Sequence, residues 1–151
     1  MGFSFSLQAL LSWKQSLEEH CQIRLAEMIT RLRAQEQEIE KLTLKRLSYE
    51  QKLKEKSHRG IGGGEYALYQ QFAEDSRRDL SSKEEKKREI LQEIDKEREK
   101  LIALTKQKKI LEKLKEKQFK NFLRQEEKAQ QKRDDEMATM KYQPSSRSRP
   151  F

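Results

Sequence analysis

The chain has 151 residues, with 34 Lys and Arg, 26 Asp and Glu, and a formal net charge of +8. Charged residues make up 40% of it and hydrophobic residues 33%, whereas a compact globular domain has roughly 25% and 45–50%. This balance excludes a thick globular core, and the lack of an apolar run of roughly 20 residues excludes a transmembrane helix.

The first residues and the cysteine content indicate the compartment. Met1 to Leu11 has neither the basic start nor the cleavage site of a secretory signal. Cys21 is the single cysteine, which excludes an internal disulfide and fits a reducing compartment. We therefore expect a cytoplasmic protein.

Residues that break helices are confined to two places. Pro144 and Pro150 lie in the last eight residues, and four of the five glycines lie within residues 60–64. Good helix formers dominate the rest of the chain. This distribution predicts an all-α protein of two long helices joined by a turn.

After a short lead over residues 1–6, helix one is predicted over residues 7–57. Its apolar residues recur at multiples of seven in two rows, which is the pattern of the two seam positions of a heptad repeat. Four polar residues interrupt the rows. The rows are Leu11, Leu25, Leu32, Ile39, Leu53 and Leu7, Cys21, Met28, Leu42, Tyr49, and the interruptions are Lys14, Glu18, Gln35 and Arg46.

A glycine-rich turn is predicted over residues 58–64, and helix two over residues 65–140. The heptad pattern continues in helix two, with polar interruptions and with apolar residues that we expect to flank the seam and widen it. Its rows are Leu80, Ile94, Leu101, Phe122 and Ile90, Leu104, Leu111; the interruptions are Lys87, Glu97, Lys108, Lys115 and Gln118; the flanking residues are Leu91, Ile102, Ile110 and Leu114. Near Ser82 the segment is poor in aliphatic residues, so either a continuous polar helix or a hinge is possible there, and we favour the continuous helix.

Folding back at the glycines would produce an antiparallel hairpin with a second helix longer than the first. About 25 residues at the end of helix two would then have no partner, given the rise of about 1.5 Å per residue. Phe119 and Phe122 would begin this overhang as a candidate docking surface, unless Phe3 and Phe5 fold over them. Residues 141–151 are predicted to form a disordered tail.

No catalytic or metal-binding pattern is present in the sequence. His20 and His58 have no companion ligand at metal-binding spacing, and the glycines are not followed by the Gly-Lys-Ser/Thr of a phosphate-binding loop. A two-helix hairpin also has no substrate cavity. We therefore expect no enzyme activity and no cofactor.

A basic stretch in helix two has three possible interpretations. Residues 101–120 contain seven lysines and two glutamates, a local charge of +5. A solvated helix face is the first interpretation, and contact with an acidic protein surface is the second. Nucleic-acid binding comes last, because the stretch lacks the arginines favoured for phosphate recognition.

Four segments in order along the chain, residues 3–11, 59–72, 108–117 and 131–138, carry a family resemblance. The first resembles a Phe-x-Phe-x-Leu-Gln-x-Leu-Leu start, and the second a Gly-Ile turn followed by aromatic residues. The third resembles a Lys-x-x-x-Leu-Glu-Lys-Leu-x-x-Lys run, and the fourth a Gln-Lys-x-x-Asp-Glu close. By these motifs the chain resembles the FliJ family, small coiled-coil proteins of the flagellar type III export apparatus.

The resemblance implies a long antiparallel two-helix coiled coil, similar to the central stalk of rotary ATPases. Such a protein would enter the hexameric export ATPase ring, promote its assembly and activity, link it to the transmembrane export gate, and recycle substrate chaperones. It would be a monomer, bind no nucleic acid, and lie at the cytoplasmic face of the cell membrane. The alternatives are a generic coiled-coil scaffold, which could be an intermolecular dimer, and the related injectisome stalk protein.

The resemblance also implies two binding surfaces. Tyr69 and Phe72 would contact the export gate, although Ser76 and Asp79 stand where the family can be apolar. The ATPase ring would be contacted by residues near both termini. These are Phe5, Leu7, Leu10, Leu11, Lys113, Lys117, Phe119 and Phe122.

Overall fold

In the computed structural model, residues 2–142 are described, and they form two α-helices with no strand among them. Helix α1 is Gln8–Arg59, with 52 residues, and helix α2 is Gly63–Lys141, with 79 residues. The prediction of an all-α hairpin with a longer second helix is confirmed. Of the predicted tail, Lys141 ends α2, whereas residues 143–151 lie outside the described residues.

The turn is shorter than the predicted 58–64, because its glycines take different roles. Gly60 has a φ of 90°, a conformation that ends helices and that side chains with a Cβ rarely adopt, so α1 continues to Arg59. The carbonyl of Gly62 accepts the first hydrogen bond of α2, from Tyr66 N at 3.0 Å. Gly63 and Gly64 are therefore already helical.

The chain forms two compact units. The first, here called the turn unit, is residues 17–104. The second, here called the terminal unit, comprises the described residues before 17 and after 104. No stretch within residues 2–142 is long and apolar enough to cross a bilayer.

In the turn unit the two helices run antiparallel with one register. Three of the contacts between them show this: Cys21 with Glu97, Gln35 with the Lys83 carbonyl at 2.9 Å, and Tyr49 with Tyr69 at 5.9 Å between ring centroids. From each of these contacts to the next, the position on α1 rises by fourteen residues and the position on α2 falls by fourteen, which is two heptads on each helix. The heptad phase is therefore kept through Ser81 and Ser82, and α2 is continuous there, as favoured from the sequence.

Heptad position decides burial in this unit more than residue type does. The predicted interruptions Glu18 and Glu97 are buried, as is Ser76, and they occupy seam positions together with Ile90 and Ile94. By contrast, the expectation that flanking residues widen the seam is wrong for Ile102, whose side chain is 55% exposed. With only two helices there is no third element to cover a residue outside the seam rows.

In the terminal unit, the lead folds onto α2. Phe5, Leu11 and Leu111 form a buried cluster, with Phe3 and Leu114 packed against it. Leu114 therefore does flank the core, whereas Ile110 is 66% exposed and does not. Beyond Phe122, every described residue of α2 is exposed.

Candidate protein-binding surfaces

Three aromatic rings meet close to the turn, and we call them the turn cluster: Tyr49, Tyr69 and Phe72. Tyr49 lies in a seam row of α1, while Tyr69 and Phe72 are three residues apart and so share one face of α2. The Phe72 ring stacks on Tyr49, with centroids 4.0 Å apart and an interplanar angle of 22°. All three rings are half-buried, so each has one side in the hairpin and one side accessible.

Three lysines of α1 lie against the rings of the turn cluster. Lys45 lies 5.6 Å from the centroid of Phe72, Lys52 lies 5.6 Å from that of Tyr49, and Lys56 lies 5.5 Å from that of Tyr69. Ammonium ions at these distances are attracted by the negative face of the ring. The surface of the turn cluster is therefore both aromatic and positively charged.

Lys56 also joins the two helices across the turn by an ion pair with Glu65. The hydrogen bond to the Glu65 carboxylate, followed by the contact with Tyr69, raises the pKa of the Lys56 ammonium group above its ordinary value. Glu65 lies in the first turn of α2, where the helix dipole favours a negative charge. The pair therefore helps to close the hairpin at the turn.

Away from the turn, the seam contains a buried polar contact between Cys21 and Glu97. The Cys21 thiol donates to Oε2 of Glu97 at 3.1 Å, and its sulfur lies 3.4 Å from the Glu97 carbonyl. Burial, and then the hydrogen bond and negative charge of Glu97, raise the pKa of this thiol. Cys21 is only 1% exposed, so the arrangement suits a packed, protonated thiol and not a nucleophile.

The terminal unit presents a second aromatic surface. The Phe3 ring lies 5.2 Å from Phe119 and 5.6 Å from Phe122 between centroids. Of the two residues expected to fold over these aromatics, Phe3 therefore does so, whereas Phe5 lies in the buried cluster with Leu11 and Leu111. Phe119 nevertheless remains 43% exposed, so part of the surface is still accessible.

The residues that the resemblance assigned to the ATPase ring fall into two groups. Phe5 and Leu11 are 7% and 3% exposed, so they support the surface from within. The other six are partly or fully exposed. They are Leu7, Leu10, Lys113, Lys117, Phe119 and Phe122.

A shallow basic groove runs along α2 beside these residues. It is lined by Lys113, Lys117, Lys120 and Arg124, with Glu116 and Asn121. Lys120 pairs with Glu116 at 3.2 Å. Four cations against one carboxylate leave the groove positive, so it is suited to an acidic partner surface.

Sequence reasoning missed some exposed residues that could take part in binding. Trp13 is 56% exposed, and Lys14 lies 5.0 Å from its ring centroid. Near the turn, Leu44, Leu47 and Leu68 are 51–72% exposed. Their positions outside the heptad rows were the available signal, since an apolar residue off the seam of a two-helix hairpin has no partner within the chain.

The described residues include no candidate metal centre. Among residues 2–142, no group of three or more His, Cys, Asp or Glu residues is placed to hold a metal ion. The side chains with clear potential for recognition are the aromatic and basic ones of the two surfaces. The surfaces are therefore suited to binding other proteins.

Comparison with known proteins identifies one family. The family model described as the flagellar FliJ protein matches residues 3–147, which is nearly the whole chain. Neither a curated protein nor a solved structure gives a significant match.

Proposed function

The chain belongs to the FliJ family, and from this membership we propose that it acts as the stalk-like linker of the flagellar export apparatus. The family makes it a component of that apparatus. In the proposed role it binds the hexameric export ATPase ring, promotes the assembly and activity of the ring, connects it to the export gate, and recycles substrate chaperones. The observation that carries the proposal is the family match over residues 3–147.

We assign the contact with the ATPase ring to the terminal unit. Its exposed residues combine an aromatic edge at Phe119 with the cations Lys113 and Lys117. Interfaces of this composition use the aromatic residue as an anchor and the charges to orient the partner. Phe5 and Leu11 contribute indirectly, because they hold the lead and α1 against α2.

We assign the contact with the export gate to the turn cluster. Tyr69 and Phe72 each have an accessible side. Ser76, which departs from the family pattern, is 4% exposed and faces the seam. Asp79 is paired with Lys83 of its own helix at 3.8 Å. Neither residue extends the aromatic surface, so the proposed gate contact is confined to Tyr69, Phe72 and their neighbours.

In the proposed role, the protein works as a cytoplasmic monomer at the inner face of the cell membrane. Each helix covers the seam residues of the other within one chain, so no second copy is needed to bury them. Light scattering should accordingly give a mass near 18.1 kDa. A mass of twice that value would favour the intermolecular scaffold.

The proposal is tested by measuring ATP hydrolysis by the cognate export ATPase in the presence of the full chain. Lys113→Glu combined with Lys117→Glu should remove most of the stimulation, because the groove would then repel an acidic surface. The matched control is Lys86→Glu combined with Lys96→Glu, two exposed lysines of α2 in the turn unit. Equal stimulation by the two double variants would contradict the assignment of the terminal unit to the ring.

A further inference from the structure

Basic residues along one row of α1 have different partners at its two ends. Arg24, Arg31, Lys45 and Lys52 belong to a row with seven-residue spacing. Arg24 pairs with Glu97 at 3.9 Å, and Arg31 pairs with Glu93 at 3.6 Å. Lys45 and Lys52 instead lie against the rings of Phe72 and Tyr49, and within residues 2–142 neither of them has a carboxylate partner.

Nearby acidic residues do not balance these two lysines. Residues 41–59 contain seven Lys and Arg against two Glu, a local charge of +5, whereas residues 65–100 sum to −2. On α2, Glu65 is paired with Lys56 and Asp79 with Lys83. Glu50 is the acidic residue that lines the crevice of the turn cluster. The surface around Phe72 therefore keeps an excess of positive charge.

We propose that Lys45 and Lys52 bind the carboxylates of an acidic segment of the partner protein, which lies across the turn cluster beside Phe72. This inference rests on the proposed function, in which the turn cluster contacts the export gate. An ammonium group placed on a ring still has three N–H donors, so it can pair with a carboxylate and remain near the aromatic face. The carboxylates of the partner would thus pair with Lys45 and Lys52 as Glu97 and Glu93 of α2 pair with Arg24 and Arg31.

The spacing of the two lysines specifies the partner further. Seven residues of helix place them about 10 Å apart along the axis. A partner helix would match this distance with acids one heptad apart. An extended segment would match it with acids three residues apart, at about 3.3 Å per residue. The segment should also carry an apolar side chain between the acids, because Phe72 lies beside Lys45.

The test is a calorimetric titration of the full chain with the purified cytosolic region of the cognate export gate protein. The test variant is Lys45→Gln combined with Lys52→Gln. The control variant is Lys41→Gln combined with Lys54→Gln, which removes the same charge from exposed positions on the same helix. Phe72→Leu is titrated in parallel, and circular dichroism checks that every variant keeps its helix content.

The test variant should bind the gate region about tenfold more weakly at low salt, since it loses two exposed charge pairs. The control should change affinity by less than about twofold, and the difference should shrink at higher salt because exposed charges are screened. Phe72→Leu should also weaken binding, as expected if the ring and the lysines serve the same partner.

Three outcomes would overturn the inference. If Phe72→Leu weakens binding but the test variant matches the control, the lysines are not part of the interface, while the proposed gate contact stands. If the unaltered chain does not bind the gate region, or neither Phe72→Leu nor the test variant weakens binding, the gate contact at the turn cluster fails as well. If the unaltered chain binds phosphatidylglycerol vesicles through Lys45 and Lys52, with gate affinity unchanged, the occupant is a membrane.

Discussion

The thiol of Cys21 on α1 donates a hydrogen bond to the carboxylate of Glu97 on α2, with the sulfur and Oε2 3.1 Å apart. Both residues are buried in the seam. Arg24 and Lys100 each lie 3.9 Å from Oε1 of Glu97, so two cations offset the charge of the buried carboxylate. A polar residue at a seam position of a coiled coil typically fixes register at some cost in stability.

We predict that Glu97→Leu stabilises the hairpin. The change removes a desolvated carboxylate and buries an aliphatic side chain. Its partners Arg24 and Lys100 are more than half exposed, so neither is left as a buried unpaired charge, which is the condition under which losing one partner is strongly destabilising. Thermal unfolding followed by circular dichroism should show a higher midpoint than in the unaltered chain. Glu99→Leu, at an exposed neighbouring position, is the control and should change stability by less than about 0.5 kcal/mol. A lower midpoint for Glu97→Leu would mean that the carboxylate and its cations are net stabilising.

The raised pKa of Cys21 predicts a specific pH dependence. Because the folded state holds the thiol proton more tightly than the unfolded state does, its contribution to stability is complete below about pH 8.5, the ordinary thiol pKa. That contribution is lost as the pH rises from there through the folded pKa. Thermal midpoints measured from neutral pH upward should therefore converge for the unaltered chain and Cys21→Ala. A constant gap between the two curves would show that the thiol has an ordinary pKa in the folded chain.

Packing between Tyr49 and Phe72 should contribute to stability beyond the area that the rings bury. Stacked aromatic pairs add about 0.5–1.5 kcal/mol. Urea unfolding of Tyr49→Leu, Phe72→Leu and the double variant should give a coupling energy in this range. Tyr66→Leu is the control for Tyr49→Leu, because Tyr66 is 45% exposed and its hydroxyl accepts a hydrogen bond from Gln70 of its own helix. Purely additive losses for Tyr49 and Phe72 would contradict a stacking contribution.

This packing also affects how gate binding is tested. Phe72 supports Tyr49 as well as facing outward, so Phe72→Ala would lose stability together with any contact to a partner. Phe72→Leu keeps an apolar side chain of similar size and is the better variant for binding experiments.

Two glycines of the turn should respond in opposite directions to substitution by alanine. Gly60 has a φ of 90°, so Gly60→Ala should destabilise the hairpin by about 1 kcal/mol through backbone strain. Gly64 is in the first turn of α2 with open space where a Cβ would lie, so Gly64→Ala should stabilise it by a similar amount, about 1 kcal/mol. Chemical denaturation of both variants checks this. If both substitutions changed the free energy of unfolding in the same direction, the two glycines would not have the separate conformational roles described here.

The sequence alone determined which faces of the two helices pack together. Heptad rows identified the seam, and the confined glycines identified the single reversal of the chain. Heptad position also predicted correctly that polar residues such as Glu18 and Glu97 lie in the seam, although polar side chains are unusual there. The motifs of the lead and turn pointed to the family that the comparison then showed.

Only the tertiary structure decided which residues meet across the seam. A heptad pattern looks the same after a shift of seven residues, so periodicity does not choose the partner of Cys21 or of Tyr49. The antiparallel register determines these partners. It places Lys45 and Lys52 against aromatic rings, whereas it places Arg24 and Arg31 beside carboxylates. Likewise, the fold of the lead over Phe119 and Phe122 depended on contacts between distant parts of the chain, and local sequence carries no periodic signal for those.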